Sequence, residues 1–410
     1  MKRELLNARR TAFALIAVTV LAQAARAQSR PPVPAAAPAE SGHAPRGWRA
    51  SADIRLAETA DDNVFLLPDA RKAMLDSLSA AGVVSSRYRN MASSNDYITN
   101  LRAGGEMRGP GLRGRELTLN GDARYEFYQL NAERRNVEVR GALTQSVRRG
   151  GQLQLRAELT PRYFYRDFMA DAVDQNSDGR IQSSERIYAA GVYRESEIAA
   201  AYRQRLVTPA DDRGIAVRMS AELGYYSRSY QAPFATRGYH GPEATLGLGF
   251  EAGRTQLDAS YMRGGYAARP GVAVLLLNEQ DFNADFNGNG TRTDSRVRSV
   301  QTIDASRTEQ ELSLQLRRSL TAKLEARGGV SHRWRSYGSS QPYDVYYNTR
   351  RDHRDDAGIA LGIRLHDRLR MDVGGNAQLQ KLARSIRPSA TGEVTDYTRR
   401  RLFVSWSYHR

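Results

Sequence analysis

Along most of this chain apolar and polar residues alternate with a period of two. In ELTLNGDARYEFY, Leu117, Leu119, Ala123, Tyr125 and Phe127 share one parity, and Thr118, Asn120, Asp122, Arg124 and Glu126 share the other. In GQLQLRAELTPRYFYR the apolar set is Leu153, Leu155, Ala157, Leu159, Tyr163 and Tyr165, against Gln152, Gln154, Arg156, Glu158 and Arg162. The pattern returns at Ile215, Val217, Met219 and Leu223, at Leu312, Leu314 and Leu316, at Ile359, Leu361, Ile363 and Leu365, and at Leu402, Val404, Trp406 and Tyr408. Successive side chains of a strand point to opposite faces, so each stretch reads as a strand with one apolar and one polar face. Strands of soluble proteins average about 5 to 6 residues. These run to ten or more, the length a tilted strand needs to cross a bilayer.

About fourteen such segments follow one another, near 47–66, 94–108, 114–130, 134–148, 151–168, 186–206, 214–230, 241–252, 254–268, 298–318, 321–338, 352–366, 368–384 and 395–410. An even number is what a closed antiparallel barrel with both ends on one side requires. The connections divide into two sets. GPGLRG, RRGG, AGR, SLT and HDR are tight turns at every second connection, while the long polar insertions near 67–93, 169–185, 269–297 and 339–351 fall at the others. Two connections depart from this division: AERR is short on the long side and TPADDRG long on the short side. Tyr125, Phe127, Tyr163, Tyr165, Tyr225, Tyr261 and Trp334 sit on the apolar parity toward the long-loop ends, as an interfacial aromatic girdle would, with Phe250, Trp406 and Tyr408 marking a second girdle. Arg194 falls on the apolar parity, which predicts a bulge or a strand rising above the bilayer there. In the first insertion, Pro68 at a start position and the spacing of Leu67, Met74, Leu75 and Leu78 predict a short helix.

A mean hydropathy of −0.60 excludes a bundle of membrane helices but suits a barrel, whose alternate residues line a wet interior. Residues 1–27 read as a secretory signal peptide: basic residues precede TAFALIAVTVL, and Ala25-Arg26-Ala27 forms the cleavage site. Residues 28–46 are a flexible Pro/Ala-rich leader, too short to be a plug domain. Residues 47–410 then form one unit. The fold class expected is therefore all-β, a transmembrane antiparallel β-barrel of about fourteen strands, within a range of about 12 to 16, with long external loops. The chain resembles the bacterial outer-membrane β-barrel proteins as a broad class, porin-like in outline. That resemblance implies a Gram-negative-type outer membrane, with lipid and lipopolysaccharide as surroundings. Members often end in an aromatic residue, and here Tyr408 lies two residues short of the end. A chain without cysteine has neither disulfides nor a thiolate metal site.

DQNSDGRIQSSE matches the spacing of an EF-hand calcium loop, with Asp174, Asn176, Asp178, Arg180 (through its carbonyl), Gln182 and Glu185 at the ligand positions and Gly179 at the turn. The flanks read as strands, which points to a structural Ca2+ loop and not a helix-loop-helix sensor. Ile181, at the position that normally packs against a second loop, has no evident partner in the sequence. The alternative is an Asp/Asn/Gly-rich surface loop that binds nothing. A weaker second match offers Asp285, Asn287 and Asn289, with Arg296 in place of the closing Glu.

The inward parity carries more arginine than carboxylate: Arg124, Arg140, Arg156, Arg162, Arg218, Arg317, Arg327, Arg333, Arg364 and Arg370 are the pore-lining candidates. One function this suits is a passive channel for small polar or anionic solutes; the other is a closed lumen braced by charge ladders, with loops serving adhesion, scaffolding or partner binding. The six histidines form no catalytic constellation, so an enzyme is not expected. The formal charge of +16 is explained by inward arginines and by lipopolysaccharide phosphates, so nucleic acid is not an expected partner. No organic cofactor is indicated, and nothing in the pattern fixes an oligomeric state.

Overall fold

The computed structural model describes residues 47–410 apart from 148–149, 176–180, 182, 209–213, 279–295, 342–343, 345, 385–395 and 410. Residues 1–46, read above as signal peptide and leader, lie outside the described residues. Fourteen strands form a closed antiparallel barrel. They are β1 (Arg49–Asp61), β2 (Asp96–Pro110), β3 (Glu116–Tyr128), β4 (Asn136–Ser146), β5 (Gly151–Ala172), β6 (Arg186–Val207), β7 (Ile215–Tyr230), β8 (Tyr239–Ala252) and β9 (Thr255–Tyr266), then β12 (Arg307–Ser319), β13 (Leu324–Tyr337), β14 (Arg351–His366), β15 (Leu369–Arg384) and β16 (Tyr397–His409). Between β9 and β12, the strands β10 (Gly271–Asn278) and β11 (Arg296–Ile303) make a separate two-stranded sheet.

Fourteen transmembrane segments are thus observed, with one correction of substance. The segment read as a single strand over 298–318 is two: β11 belongs to the external hairpin, and only β12 joins the wall. Only β12 keeps the strict alternation, at Leu312, Leu314 and Leu316; in β11 the apolar residues Val297, Val300 and Ile303 fall three apart. The helix expected after Pro68 is α1 (Asp69–Ala80). No helix among the described residues is long and apolar enough to cross a membrane.

The apolar parity faces outward around the wall. Leu119, Leu155, Leu223, Leu246, Leu314, Val330 and Leu402 are all exposed, as are the girdle residues Tyr125, Tyr225, Tyr261, Trp334, Phe250, Trp406 and Tyr408. In water such a belt would be an aggregation surface; against acyl chains it is the stabilising face. At the short-turn rim, β8 and β9 are joined by only two residues, and Gly253 takes φ +52° there, a conformation that costs glycine least.

One strand breaks the alternation. The β5–β6 register slips between Thr160 and Tyr163, again between Phe164 and Arg166, and again between Met169 and Asp171. Pro161 lies in the first slip. Proline has no N–H for the ladder and is tolerated in a sheet at bulges or edges. Each extra residue on β5 switches the face of the residues beyond it until the next slip. Tyr163 and Tyr165, expected against lipid, consequently line the interior, whereas Arg162, expected inside, is exposed and paired with Glu133 at 3.1 Å. Arg194 is outward and exposed on β6, beside this irregular region.

Closure depends on β1 pairing with β16, in register from Asp53–His409 to Asp61–Arg401. At the long-loop end of this seam Asp61 is buried, and Arg399 of β16 donates to it through Nε at 2.9 Å and also through Nη2. Asn63 adds a bond from Nδ2 to the Thr398 carbonyl at 2.8 Å. Removing one member of a buried ion pair strands the other charge, at a cost of about 3 to 5 kcal/mol. Asp61→Ala should therefore lower the temperature at which the folded barrel loses its compact electrophoretic mobility in detergent. An unchanged transition would show that the seam does not need this clamp.

Candidate functional site: the barrel lumen

The inward residues enclose a cavity of about 1630 Å³ that runs down the barrel. Among its described lining residues are 22 arginines and 10 carboxylates, so the surface presented to a solute is strongly cationic. Seven of the ten arginines picked out by parity line it: Arg124, Arg140, Arg156, Arg218, Arg317, Arg327 and Arg333. Arg370 lies on the wall, held by Glu325 at 2.7 Å and Asp372 at 2.9 Å. Arg364 is exposed beside the 367–368 turn, and Arg162 is turned away by the bulge.

How the arginines are neutralised decides the shape of the lumen. Arg156 on β5 holds Glu197 of β6 at 2.6 Å and Glu222 of β7 at 2.7 Å. Arg218 reaches Asp258, and Arg327 binds Asp372. On β13, Arg335 donates to Glu309 at 2.9 Å and Arg333 to Glu311 at 2.5 Å. Among the described residues, every ion pair joining two barrel strands links strands no more than two apart around the wall. The arginines are thus paired sideways along the wall, and none of these pairs spans the diameter.

Toward the long-loop rim, aromatic rings join carboxylates as arginine partners: Arg307 pairs with Glu309, Arg228 with Glu195 and Arg350 with Asp352, and each also meets a ring. The Arg307 guanidinium sits 3.5 Å from the centre of the Tyr239 ring, Arg228 4.3 Å from that of Tyr193, and Arg350 4.6 Å from that of Tyr337. A guanidinium is weakly hydrated and stacks on such faces, so these rings fix the arginines in place. Tyr163 joins this band through Tyr193, with ring centres 5.1 Å apart. Periodicity placed Tyr163 outside. Pro161 two residues earlier is the signal that would have corrected it.

Two insertions shape the long-loop mouth. The segment carrying α1 packs Val64, Phe65, Leu67 and Leu75 against Ile98 of β2, Tyr128 of β3, Phe164 of β5 and Val192 of β6. From the other side, the 338–350 loop is folded around Asp344, which accepts bonds from the backbone N–H of Asp304, Tyr346 and Tyr347 and from the Ser339 hydroxyl. Burial pushes the Asp344 carboxyl above its ordinary value despite those bonds. Arg237 of the 231–238 loop stacks on Tyr346, 4.8 Å from its ring centre, and so ties two loops together at the mouth.

Of the calcium-type stretch, Asp174 and Glu185 are described, while Asn176, Asp178, Arg180 and Gln182 lie outside the described residues, as do Asp285, Asn287 and Asn289. Glu185 is buried, accepts a bond from the Gln175 N–H at 3.0 Å through Oε1, and receives the Val173 N–H at its carbonyl, so the two ends of the stretch are drawn together. Among the described residues no group of three or more acidic or histidine side chains converges as a metal site. Ile181 does have a partner: it is buried with Ala172 against Leu276 of β10. Asp171 and Arg298 of β11 add an ion pair at 2.8 Å. The two insertions that carry calcium-like spacing are therefore packed side by side, a proximity across about a hundred residues that no local pattern reports.

Two histidine contacts, Tyr225–His240 at 2.6 Å and His332–Asp355 at 2.5 Å, lie on outward-facing positions and include no nucleophile–base–orienter arrangement.

No family model matches the chain, and no curated protein matches it significantly. Solved structures to which it is similar include the outer-membrane channel DcaP of Acinetobacter baumannii, at 9% identity over 88% of this chain and 98% of that chain with a TM-score of 0.41. An anion-selective porin from Comamonas acidovorans follows at 11% identity over 89% and 99%, TM-score 0.35. OmpF of Salmonella typhi, in complex with daunomycin, stands at 9% over 88% and 99%, TM-score 0.35. These likenesses concern the barrel alone. The closed fourteen-strand wall, apolar outside and charged within, is itself the architecture of the outer-membrane β-barrels as a class.

The absence of native cysteine makes the face of each wall residue directly measurable. In proteoliposomes, Tyr163→Cys should react with a charged, membrane-impermeant thiol reagent, while Tyr125→Cys should be shielded by lipid. Equal labelling would remove the bulge-driven inversion of β5.

Proposed function

We propose that this protein is a passive channel of the outer membrane for small polar or anionic solutes. The observation that carries this reading is that the ion-paired lumen arginines are neutralised along the wall, with no described ion pair crossing the bore, leaving a cavity of about 1630 Å³. A lumen filled for bracing alone would be expected to carry pairs across it. The excess of arginine on the lining favours anions, because several acidic partners, Asp372 and Glu197 among them, are buried behind the guanidinium groups that face the water.

In this reading the long-loop rim faces outward and the short-turn rim faces the periplasm. The basic surface suits lipopolysaccharide phosphates, and residues 1–27 supply export. The 174–185 stretch serves as a structural Ca2+ loop on the outer side, its fold supported by the closure of Glu185 onto Gln175 and the seating of Ile181 on Leu276.

Single-channel recording of the mature chain in planar bilayers should show steady, ohmic steps with a reversal potential displaced toward chloride. Correctly folded protein that stays silent would instead favour the closed barrel with interacting loops. For the metal, calorimetric titration with calcium should give a binding isotherm for the wild type that Asp174→Ala and Glu185→Ala both lose. Superimposable traces would retire the calcium assignment.

A further inference from the structure

One row of the wall keeps like charges in the least favourable arrangement a sheet allows. Arg55 of β1 is directly opposite Arg102 of β2, and Arg102 is directly opposite Arg124 of β3. All three are inward and line the cavity. Like charges in direct cross-strand register repel, and a neutral polar residue would relieve the row. Two members have local compensation: Arg102 binds Asp122 at 2.7 Å, and Arg124 binds Glu126 and lies 3.7 Å from Glu138. Arg55 has none among the described residues. Its Nη2 donates to the neutral Ser405 hydroxyl at 3.0 Å. The one carboxylate whose charge bears strongly on it, Asp372, is already bonded to Arg327 and to Arg370.

The charge of Arg327 also reaches Arg55, although β13 stands four strands away around the wall. Arginine charge at this level thus extends around the wall from Arg327 on β13 to Arg124 on β3, with Asp372 of β15 between Arg327 and Arg55. From the positions along β1, the site lies midway between the rims.

We propose that this row is a binding station for small oxyanions, carboxylate or phosphate, centred on Arg55. The inference rests on the channel reading of the same lumen and deepens it by naming where a solute pauses. A guanidinium offers paired N–H donors that match two oxygens of one anion, and Arg55, bonded only to a neutral hydroxyl, is flanked by cations that share the added charge. A carboxylate or phosphate seated there offsets the repulsion along the row, while a neutral solute of equal size gains nothing. Conduction requires that such a station bind weakly enough for release and turnover.

The test uses the full mature chain in planar bilayers, with inorganic phosphate, then succinate, added to a potassium chloride bath. Wild-type current should be blocked in a concentration-dependent way. Arg55→Gln should weaken the block by about tenfold or more, the loss of one charge-assisted pair of hydrogen bonds, while Arg162→Gln, on the exposed face, should block like the wild type. Equal block in wild type and Arg55→Gln, or none in the wild type, overturns the station and leaves the channel standing. If no protein conducts, the channel reading fails, and calorimetric titration of the same detergent-solubilised proteins with phosphate decides the station separately: heat lost in Arg55→Gln supports it, identical heats overturn it.

Discussion

The structure depends on one constraint: within hydrocarbon, a backbone N–H or C=O without a partner costs several kcal/mol, and a sheet has free edges unless it closes. Closure here is the pairing of the first strand with the last, across more than 340 residues of chain. That seam is the most non-local contact in the molecule and the one on which every other ladder relies. The buried Asp61–Arg399 pair and the Asn63 bond to Thr398 are concentrated at its long-loop end, where the insertion bearing α1 begins.

Once the wall is closed, the two parities meet opposite solvents and their chemistry diverges. Outside, apolar side chains lie exposed as in no soluble protein of this size. Inside, the mutual repulsion of many arginines is managed locally, by carboxylates along the wall and, near the long-loop mouth, by carboxylates and tyrosine rings together. Both devices tie guanidinium groups to partners on the same or nearby strands. The interior stays hollow because its charges are satisfied sideways.

Most of the fold was legible because strand periodicity and rim asymmetry are properties of short windows, and the fourteen segments read from alternation coincide closely with the observed wall. What escaped was non-local or irregular. The β10–β11 hairpin is as rich in apolar residues as a wall strand without keeping the wall's alternation, and the pairing of β9 with β12 excludes it from the barrel. Pro161 signalled the bulge that inverts Tyr163, Tyr165 and Arg162, but a parity count carried straight through it. The seating of Ile181 on Leu276 joins two insertions separated by four strands of sequence. In the lumen, parity identified Arg124 and Arg327 but passed over Arg55 and Arg102, since nothing in a single strand shows that its neighbour places arginine in the same row.

The antiparallel, meandering order also brings the ends of the barrel chain together, with Asp53 facing His409 at the short-turn rim. Such a ring has no topologically privileged starting point. Covalently joining those two ends with a short linker and reopening the ring at a surface connection such as 231–238 would reorder the sequence while leaving each inter-strand ladder intact, so cyclic permutation is a natural route to relocating the polypeptide ends to the opposite rim.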